Sequence, residues 1–513
     1  MNHLMVLPIV VPALTAGTLL LLGKHLAAVR LVSVVSTLVT LVIAAMLVSQ
    51  ASSGAIQVYA LSGWSAPFGI VMMLDRLSAM MVLLTAVIAV GVVLYALRGW
   101  DERGRFMHAL FQFQLMGING AFLTGDLFNL FVFFEVLLIA SYSLLVYGLG
   151  ERRLKATIHY VVINLTGSAL FLIAVGTLYG VLGTLNMAHL AERIALAPAS
   201  DAAIIQAAGL VLLGVFGIKA ALFPIYFWLP AAYSSASAPV AALFAIMTKV
   251  GVYAIIRAVT LTFGAPGAAT LGFINPWLFW VAVATLALAA FGALAAKRLL
   301  TLIAYLTVAS VGTMVIAFSA GGVAGLSGAL YYMPHSTIIV ALLFLLVERI
   351  SVLRDSDEDF LVAGPHLANG AALGALFLIA AAIVAGLPLS AGFLGKLMIL
   401  ESLTDSAVRP VAWTVILVAS LLTLVSLSRA GSTIFWKASK PAMIHPPSAR
   451  VTQWFSIGWL FVASLLLVLF AAPIQRYTLA MAEQLDSPKL YIESVLGPTK
   501  DRAPRALPSQ GGQ

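Results

Sequence analysis

The sequence is a succession of apolar runs, each about as long as a bilayer's hydrocarbon layer is thick. A crossing helix needs about 20 such residues, and about fourteen runs meet that length. They lie near 4–22, 29–49, 75–97, 107–124, 127–147, 158–182, 203–229, 236–262, 272–296, 299–320, 326–347, 371–403, 411–435 and 455–474. Barrel strands would alternate instead, so the pattern predicts an all-α membrane protein. Composition agrees: of 513 residues 62% are hydrophobic and 9% charged, against roughly 25% charged in soluble domains. Cysteine is absent, which excludes disulfides, thiolate metal sites and thiol catalysis. The net charge of +9 belongs to basic loops and does not indicate nucleic-acid binding.

Met1 to Leu22 has no basic leader, carries Pro8 and Pro12, and is followed by Lys24. It reads as an uncleaved first span rather than a secretory signal. Loops after odd-numbered spans carry Lys24, Arg30, Arg98, Arg103, Arg105, Arg152, Arg153, Lys155, Lys297, Arg298, Arg349, Arg354, Arg429, Lys437, Lys440 and Arg450. Loops after even-numbered spans carry only Arg193 and Arg409. This asymmetry assigns the odd loops to the cytoplasm and both termini to the outside. The polar segments Glu348 to Gly370 and Ala438 to Thr452 do not amount to a soluble domain. The proline-containing tail ending in Gln510-Gly511-Gly512-Gln513 is expected to be disordered.

The charge that most needs explaining lies in Phe216-Gly217-Ile218-Lys219-Ala220-Ala221-Leu222-Phe223-Pro224, which runs on to Trp228-Leu229-Pro230. A central lysine costs roughly 3 kcal/mol to insert. Pro224, five residues on, frees the carbonyl of Ala220. A helix in lipid tolerates that gap only beside protein or water. Charge and broken helix together read as an ion path. Span twelve repeats the combination in Gly386-Leu387-Pro388-Leu389-Ser390-Ala391-Gly392-Phe393-Leu394-Gly395-Lys396. Interrupted spans in corresponding positions point to a transport site between inverted repeats. The expected division is therefore 1–106 (helices one to three), 107–262 (first five-helix repeat), 272–435 (second repeat) and 436–513 (helix fourteen and tail), with the seventh and twelfth helices broken.

Five ionisable residues lie well inside spans: Glu135, Lys219, Lys249, His335 and Lys396. The four formal charges alone would oppose insertion by about 12 kcal/mol. Burial and a neighbouring carboxylate act on a lysine in opposite senses, and a lysine held between them exchanges protons near neutral pH. Glu135 reads as a modulator of Lys219, as a cation-binding carboxylate or as a fixed ion-pair partner, and Lys249 as the next proton carrier or as a counter-ion to Glu135. His335 reads as a relay or as a helix-to-helix hydrogen bond. Lys396 is a terminal carrier or snorkels to an interface. Asn119, Asn129, Asn164, Ser168, Thr248 and Ser310 would hold water or glue helices. Asp75-Arg76 and Lys297-Arg298 read as anchors. No Walker loop, dinucleotide fingerprint, haem or iron–sulfur ligand set is present. No catalytic residue, cofactor or metal is predicted, and the chain does not read as an enzyme.

Several motifs occur in a familiar order: Phe134-Glu135; Gly217-Ile218-Lys219 with Pro224 and Trp228-Leu229-Pro230; Thr248-Lys249-Val250-Gly251-Val252-Tyr253; and Lys297-Arg298-Leu299-Leu300 with Ala304-Tyr305. From the third to the thirteenth span the chain resembles the antiporter-like membrane subunits of respiratory complex I. It is still more similar to the large subunits of Mrp-type multisubunit cation/proton antiporters. The segment His335 to Phe344 lacks a lysine that some members carry there. Lys396 stands where the M-type complex I subunit has glutamate, and Tyr491-Ile492 and Val495-Leu496-Gly497 look like the D-type Mrp subunit. The resemblance implies fourteen helices with inverted repeats and a coupled Glu135–Lys219 pair. It also implies a relay through Lys249 and His335 to Lys396, with a gap at Val340 for water to fill. It implies A-, B-, C-, E-, F- and G-type partner subunits in a bacterial inner membrane, and exchange of Na⁺ or K⁺ for protons. The rival reading is a redox-driven proton-pumping subunit of a complex I or membrane hydrogenase assembly. A third is a structural scaffold.

Overall fold

The computed structural model describes residues 3–23, 25–64, 68–97, 99–264, 272–367, 370–437 and 449–498. The predicted disordered end of the tail, most of the polar 438–452 segment, and Lys24, Arg98 and Lys440 of the charge argument lie outside them.

The chain is helical almost throughout. Helices α1 (Leu7–Leu22) and α2 (Leu26–Ala51) lead to a short antiparallel hairpin, β1 (Gln57–Ala60) and β2 (Val71–Leu74), which pairs Gln57 with Leu74 and Ala60 with Val71. Next come α3 (Arg76–Ala96), α4 (Met107–Leu123), α5 (Leu127–Val146), α6 (Glu151–Leu182) and the short, largely buried helix α7 (Met187–Ala195). One broken unit follows: α8 (Ala202–Ala220), α9 (Trp228–Ser235), α10 (Ala238–Phe244) and α11 (Met247–Arg257). The second half holds α12 (Asn275–Ala295), α13 (Leu299–Ala320), α14 (Gly322–Arg354), α15 (Gly370–Ala385), α16 (Ala391–Ser402) and α17 (Arg409–Gly431). The chain closes with α18 (Val451–Leu469), α19 (Ala471–Asp486) and α20 (Pro488–Leu496). Among the described residues, twelve helical segments are long and apolar enough to cross a membrane. The 17-residue α4 and the interrupted α15–α16 supply the other two predicted spans. The hairpin, α7, α19 and α20 were not predicted.

Helix α14 is the central pillar. Nearly every side chain from Leu326 to Val347 is buried, and the helix packs on α10, α13, α16, α18 and α19. Peripheral helices keep an apolar outer face, as in α2 with Leu31, Val35, Val39, Val42 and Met46 exposed. That surface is what lipid or neighbouring helices require.

Both ends of the bundle are closed by ion pairs. Asp75 caps α3 by accepting from the Ser78 N–H at 2.8 Å, and its carboxylate meets Arg257 at 2.6 Å, both side chains buried. The ring of Tyr491 on α20 lies 5.5 Å from the Arg257 guanidinium. At the opposite end, Arg298 pairs with Asp359 and Glu358, and Asp359 accepts from the Leu300 N–H at 3.1 Å, capping α13. There too, Asp101 sits beside Arg30 and His108. Burial would raise its carboxyl, but hydrogen bonds from His108 and Arg30 outweigh this and hold it at about 2.

Candidate functional site

Glu135 and Lys219 are brought to the same helix, α6. Lys219 Nζ donates to Asn164 Oδ1 at 3.1 Å, and the Ser168 hydroxyl donates to Glu135 Oε1. Asn164 and Ser168 stand one turn apart. No direct ion pair joins the acid to the lysine. The Lys219 ammonium also lies 5.9 Å from the Phe134 ring. A cavity of about 10 Å³ borders Lys219, Asn164, Tyr160, Trp228 and Met247.

Helix α8 ends one residue after Lys219, earlier than a proline effect requires. Ala221 is left-handed (φ 60°), and the Leu222 N–H reaches back to the Gly217 carbonyl at 2.8 Å, a Schellman-type stop. Pro224 therefore lies within the connecting segment, past a helix that has already closed. The segment's polar groups are met by protein: the Phe223 N–H donates to Thr285 Oγ1 at 2.8 Å, and the Trp228 indole N–H to the Ile218 carbonyl at 3.1 Å. Non-helical backbone survives at membrane depth only with such partners.

Lys249 is fully buried on α11 and donates to Ser310 Oγ on α13 at 2.9 Å, not to Glu135. Ser310 in turn donates to the Thr307 carbonyl at 2.7 Å. A second interruption, at Ala245–Ile246, immediately precedes α11 and has no proline or glycine to announce it. Gly251 lets α11 touch the end of α8. A Cβ there would stand 2.4 Å from the Ala220 nitrogen and 2.7 Å from the Lys219 carbonyl carbon. The two lysine-bearing helices thus meet backbone to backbone.

His335 is fully buried on α14, and neither ring nitrogen has a hydrogen-bond partner. It packs on Tyr332, with centroids 5.4 Å apart, and faces Gly392, where a Cβ would lie 2.6 Å from Nε2. Lys396 follows one turn later on α16. Its Nζ donates to the Ala385 carbonyl at 2.8 Å and to Ser420 Oγ at 2.9 Å. Ala385 is the last residue of α15, so the lysine occupies a carbonyl released by the break around Pro388, where Gly386 (φ 83°) and Leu389 (φ 70°) are left-handed. Lys219 precedes its break and Lys396 follows its own.

A cavity of about 20 Å³ lies between Ser310 and Lys396 and is also lined by Tyr332, Ser336, Val340 and Ser420. That is room for about one water. The residue at which the sequence reading leaves a gap, Val340, is thus part of the cavity wall. Ser420 and Tyr332 were not singled out from sequence. An isolated serine in a span carries no signal that separates water-binding from helix glue. Gln114, fully buried with its Oε1 unpartnered and its amide 3.3 Å from Met247 Sδ, was missed for the same reason.

Residues 124–423 match the family model described as NADH:quinone oxidoreductase/Mrp antiporter, transmembrane. A probable K⁺/H⁺ antiporter protein of Rhizobium meliloti, named there as the D-type subunit, is 36% identical over 540 residues, covering 99% of each chain. The D-type subunit of a Na⁺/H⁺ antiporter of Bacillus subtilis is 37% identical over 501 residues, 97% of this chain and 100% of the relative. In the solved Mrp complex of a Dietzia species, one chain superposes with TM-score 0.86 at 26% identity, covering 97% of this chain and 100% of that one. Sequence and architecture agree from end to end, and the chain belongs to the NADH:quinone oxidoreductase/Mrp antiporter transmembrane family, within its D-type branch.

Proposed function

We propose that this subunit moves protons across a bacterial inner membrane in exchange for Na⁺ or K⁺, through Glu135, Lys219, Lys249, His335 and Lys396. One observation carries the reading: three lysines inside the bundle, Lys219 and Lys249 buried and Lys396 half-buried, are held by neutral partners. Asn164, Ser310 and Ser420 with the Ala385 carbonyl take the places that carboxylates would fill in fixed ion pairs. A neutral partner accepts from the ammonium and also tolerates the free amine, so each lysine can load and unload a proton. A buried lysine locked to a carboxylate would be a structural element. The small cavities beside Lys219 and Lys396 suit single bridging waters.

The division into two inverted repeats, 107–262 and 272–435, accounts for one broken helix in each half, at Pro224 and Pro388. The basic loops favour a cytoplasmic odd side and termini outside. The subunit transports rather than catalyses. Its partners are the remaining A-, B-, C-, E-, F- and G-type subunits, since the relatives are named as subunits of antiporters.

The test is the whole complex in sealed vesicles, scored for proton movement on adding Na⁺, K⁺ or Li⁺. Cation-driven proton movement that Lys219→Ala abolishes supports the reading. Movement indifferent to all three cations, with cofactor-bearing subunits co-purifying, would replace it by the redox-driven pump.

A further inference from the structure

The first relay leaves one polar feature unused, on helices outside the matched family segment. The buried face of α2 is not apolar: its cytoplasmic half presents Ser33, Ser36, Thr37 and Thr40, while its exposed face is leucine, valine and methionine. Opposite it, α4 buries His108, Gln112 and Asn119 on one stripe. The groups nearest the α3–α4 connection form one bonded cluster, and the deeper ones stand apart from it. Asp101 receives Arg30 at 2.5 and 3.1 Å and lies 3.4 Å from His108 Nε2. The other ring nitrogen of His108 is 3.0 Å from Ser33 Oγ. Gln112 Nε2 then spans the Ser33 carbonyl at 3.2 Å and Thr37 Oγ1 at 3.2 Å. Deeper, Thr15 of α1 donates to Ser36 Oγ at 2.8 Å. Asn119 Nδ2 donates at 2.9 Å to the Pro8 carbonyl, which Pro12 leaves free.

Two atoms show that the set is incomplete without solvent. Gln112 Oε1 and Asn119 Oδ1 belong to side chains 0% and 1% exposed, and neither has a donor. A buried acceptor without a donor costs about 1–3 kcal/mol. The two residues are two turns apart on one face, about 10 Å, the length of about three hydrogen-bonded waters. Water there would satisfy both oxygens and join the Gln112 cluster to Asn119.

We propose that the α1–α2–α4 seam is a further, water-bridged proton path that acts in series with the Lys219 relay, with His108 as its proton-loading group. The idea rests on the subunit being a proton transporter. His108 takes a proton at one ring nitrogen and releases one from the other to Ser33, whose hydroxyl passes its own proton on. Water carries the proton past Gln112, which orients the chain. Asp101 faces the imidazole with Arg30 and, through Arg30, Glu102 behind it. Helix α1 has no titratable side chain between Leu7 and Leu22, and Arg30 is the only one on α2. On α3 the Tyr95 hydroxyl turns away to the Leu345 carbonyl, and Tyr147, just past α5, interacts electrostatically with Asp101.

The experiment compares the assembled complex carrying His108→Gln, Gln112→Leu or Ser33→Ala in vesicles, with initial proton uptake measured across pH. His108→Gln keeps a hydrogen bond to Ser33 but cannot carry a proton. It should slow uptake about a hundredfold, the low end of the range usual for losing a positioned proton-transfer group, and flatten the pH profile. Gln112→Leu should give the same rate loss. If a variant fails to assemble, Ser33→Ala, which removes one hydroxyl, decides on the same readout. Assembled variants with unchanged rate and pH profile would overturn this path. Lys219→Ala in the same vesicles separates that outcome from failure of the main relay: a dead Lys219→Ala beside a normal His108→Gln removes only the seam.

Discussion

Asn164 and Ser168, one turn apart on α6, are the physical link between Lys219 and Glu135. Each holds one of the charges, and the charges do not touch. The acid and the lysine therefore communicate through a shared helix and a short dielectric gap. Glu135→Gln and Lys219→Arg, which keeps a cation at the site, should be non-additive in exchange rate, with a coupling of about 0.5–3 kcal/mol in a double-mutant cycle. Strict additivity would mean that the two act independently.

Lys219→Ala should abolish exchange without preventing assembly. The substitution removes a buried charge, so insertion becomes easier rather than harder. Co-purification of the other subunits checks assembly, and vesicle flux checks transport. Normal flux from an assembled complex would remove Lys219 from the path.

Gly392 is predicted to be irreplaceable for steric reasons. A Cβ there meets His335 Nε2 and the Ile383 carbonyl oxygen, both at 2.6 Å. Gly392→Ala should cost about 1–3 kcal/mol through overpacking. Gly176→Ala, where nothing lies within 4 Å, is the control, and should be neutral or stabilising by up to about 1 kcal/mol. Thermal unfolding of the purified complex compares them, and equal melting temperatures would sink the argument.

Asp75→Ala should destabilise by about 3–5 kcal/mol, because it strands the buried Arg257. Asp75→Ala combined with Arg257→Met should recover much of that loss. If the double variant is as weak as the single one, the ion pair is not the cause.

Acid should weaken the Arg30–Asp101–His108 corner. Asp101 titrates at about 2 in the fold and near 3.9 when unfolded. Its contribution, about 2 kcal/mol, is present above pH 4 and is lost as pH falls toward 2. Asp101→Asn should remove that part of the pH dependence in melting curves taken between pH 5 and 2.

The charged members of the site were legible because each interrupts an apolar run, where a charge costs enough to demand a reason. Lys219, Lys249, His335 and Lys396 announce themselves this way. Their partners do not. Ser310 and Asn164 were two among several polar candidates, and Ser420 was indistinguishable from any serine in a span. The twelfth-helix break was visible through Gly386 and Pro388. The stop at Ala221 and the interruption before Met247 were not, because an alanine in a left-handed turn leaves no mark in the sequence. The tail helices α19 and α20 are amphipathic rather than apolar, so a search for spans passes over them.

The closure of α3 has a consequence for how the chain is made. Asp75 finds Arg257 182 residues later. The Arg76 backbone N–H finds Gln484 408 residues later, and its carbonyl finds Tyr477 401 residues later. At roughly 5–20 residues per second, Gln484 is made about 20 to 80 s after Arg76. For about the first 9 to 36 s of that interval, until Arg257 is made, Asp75 is an acid without its cation. Tyr477, Gln484 and Tyr491 cover the start of α3 and its ion pair only after α19 and α20 are made, so that end of the third helix reports whether translation has passed them.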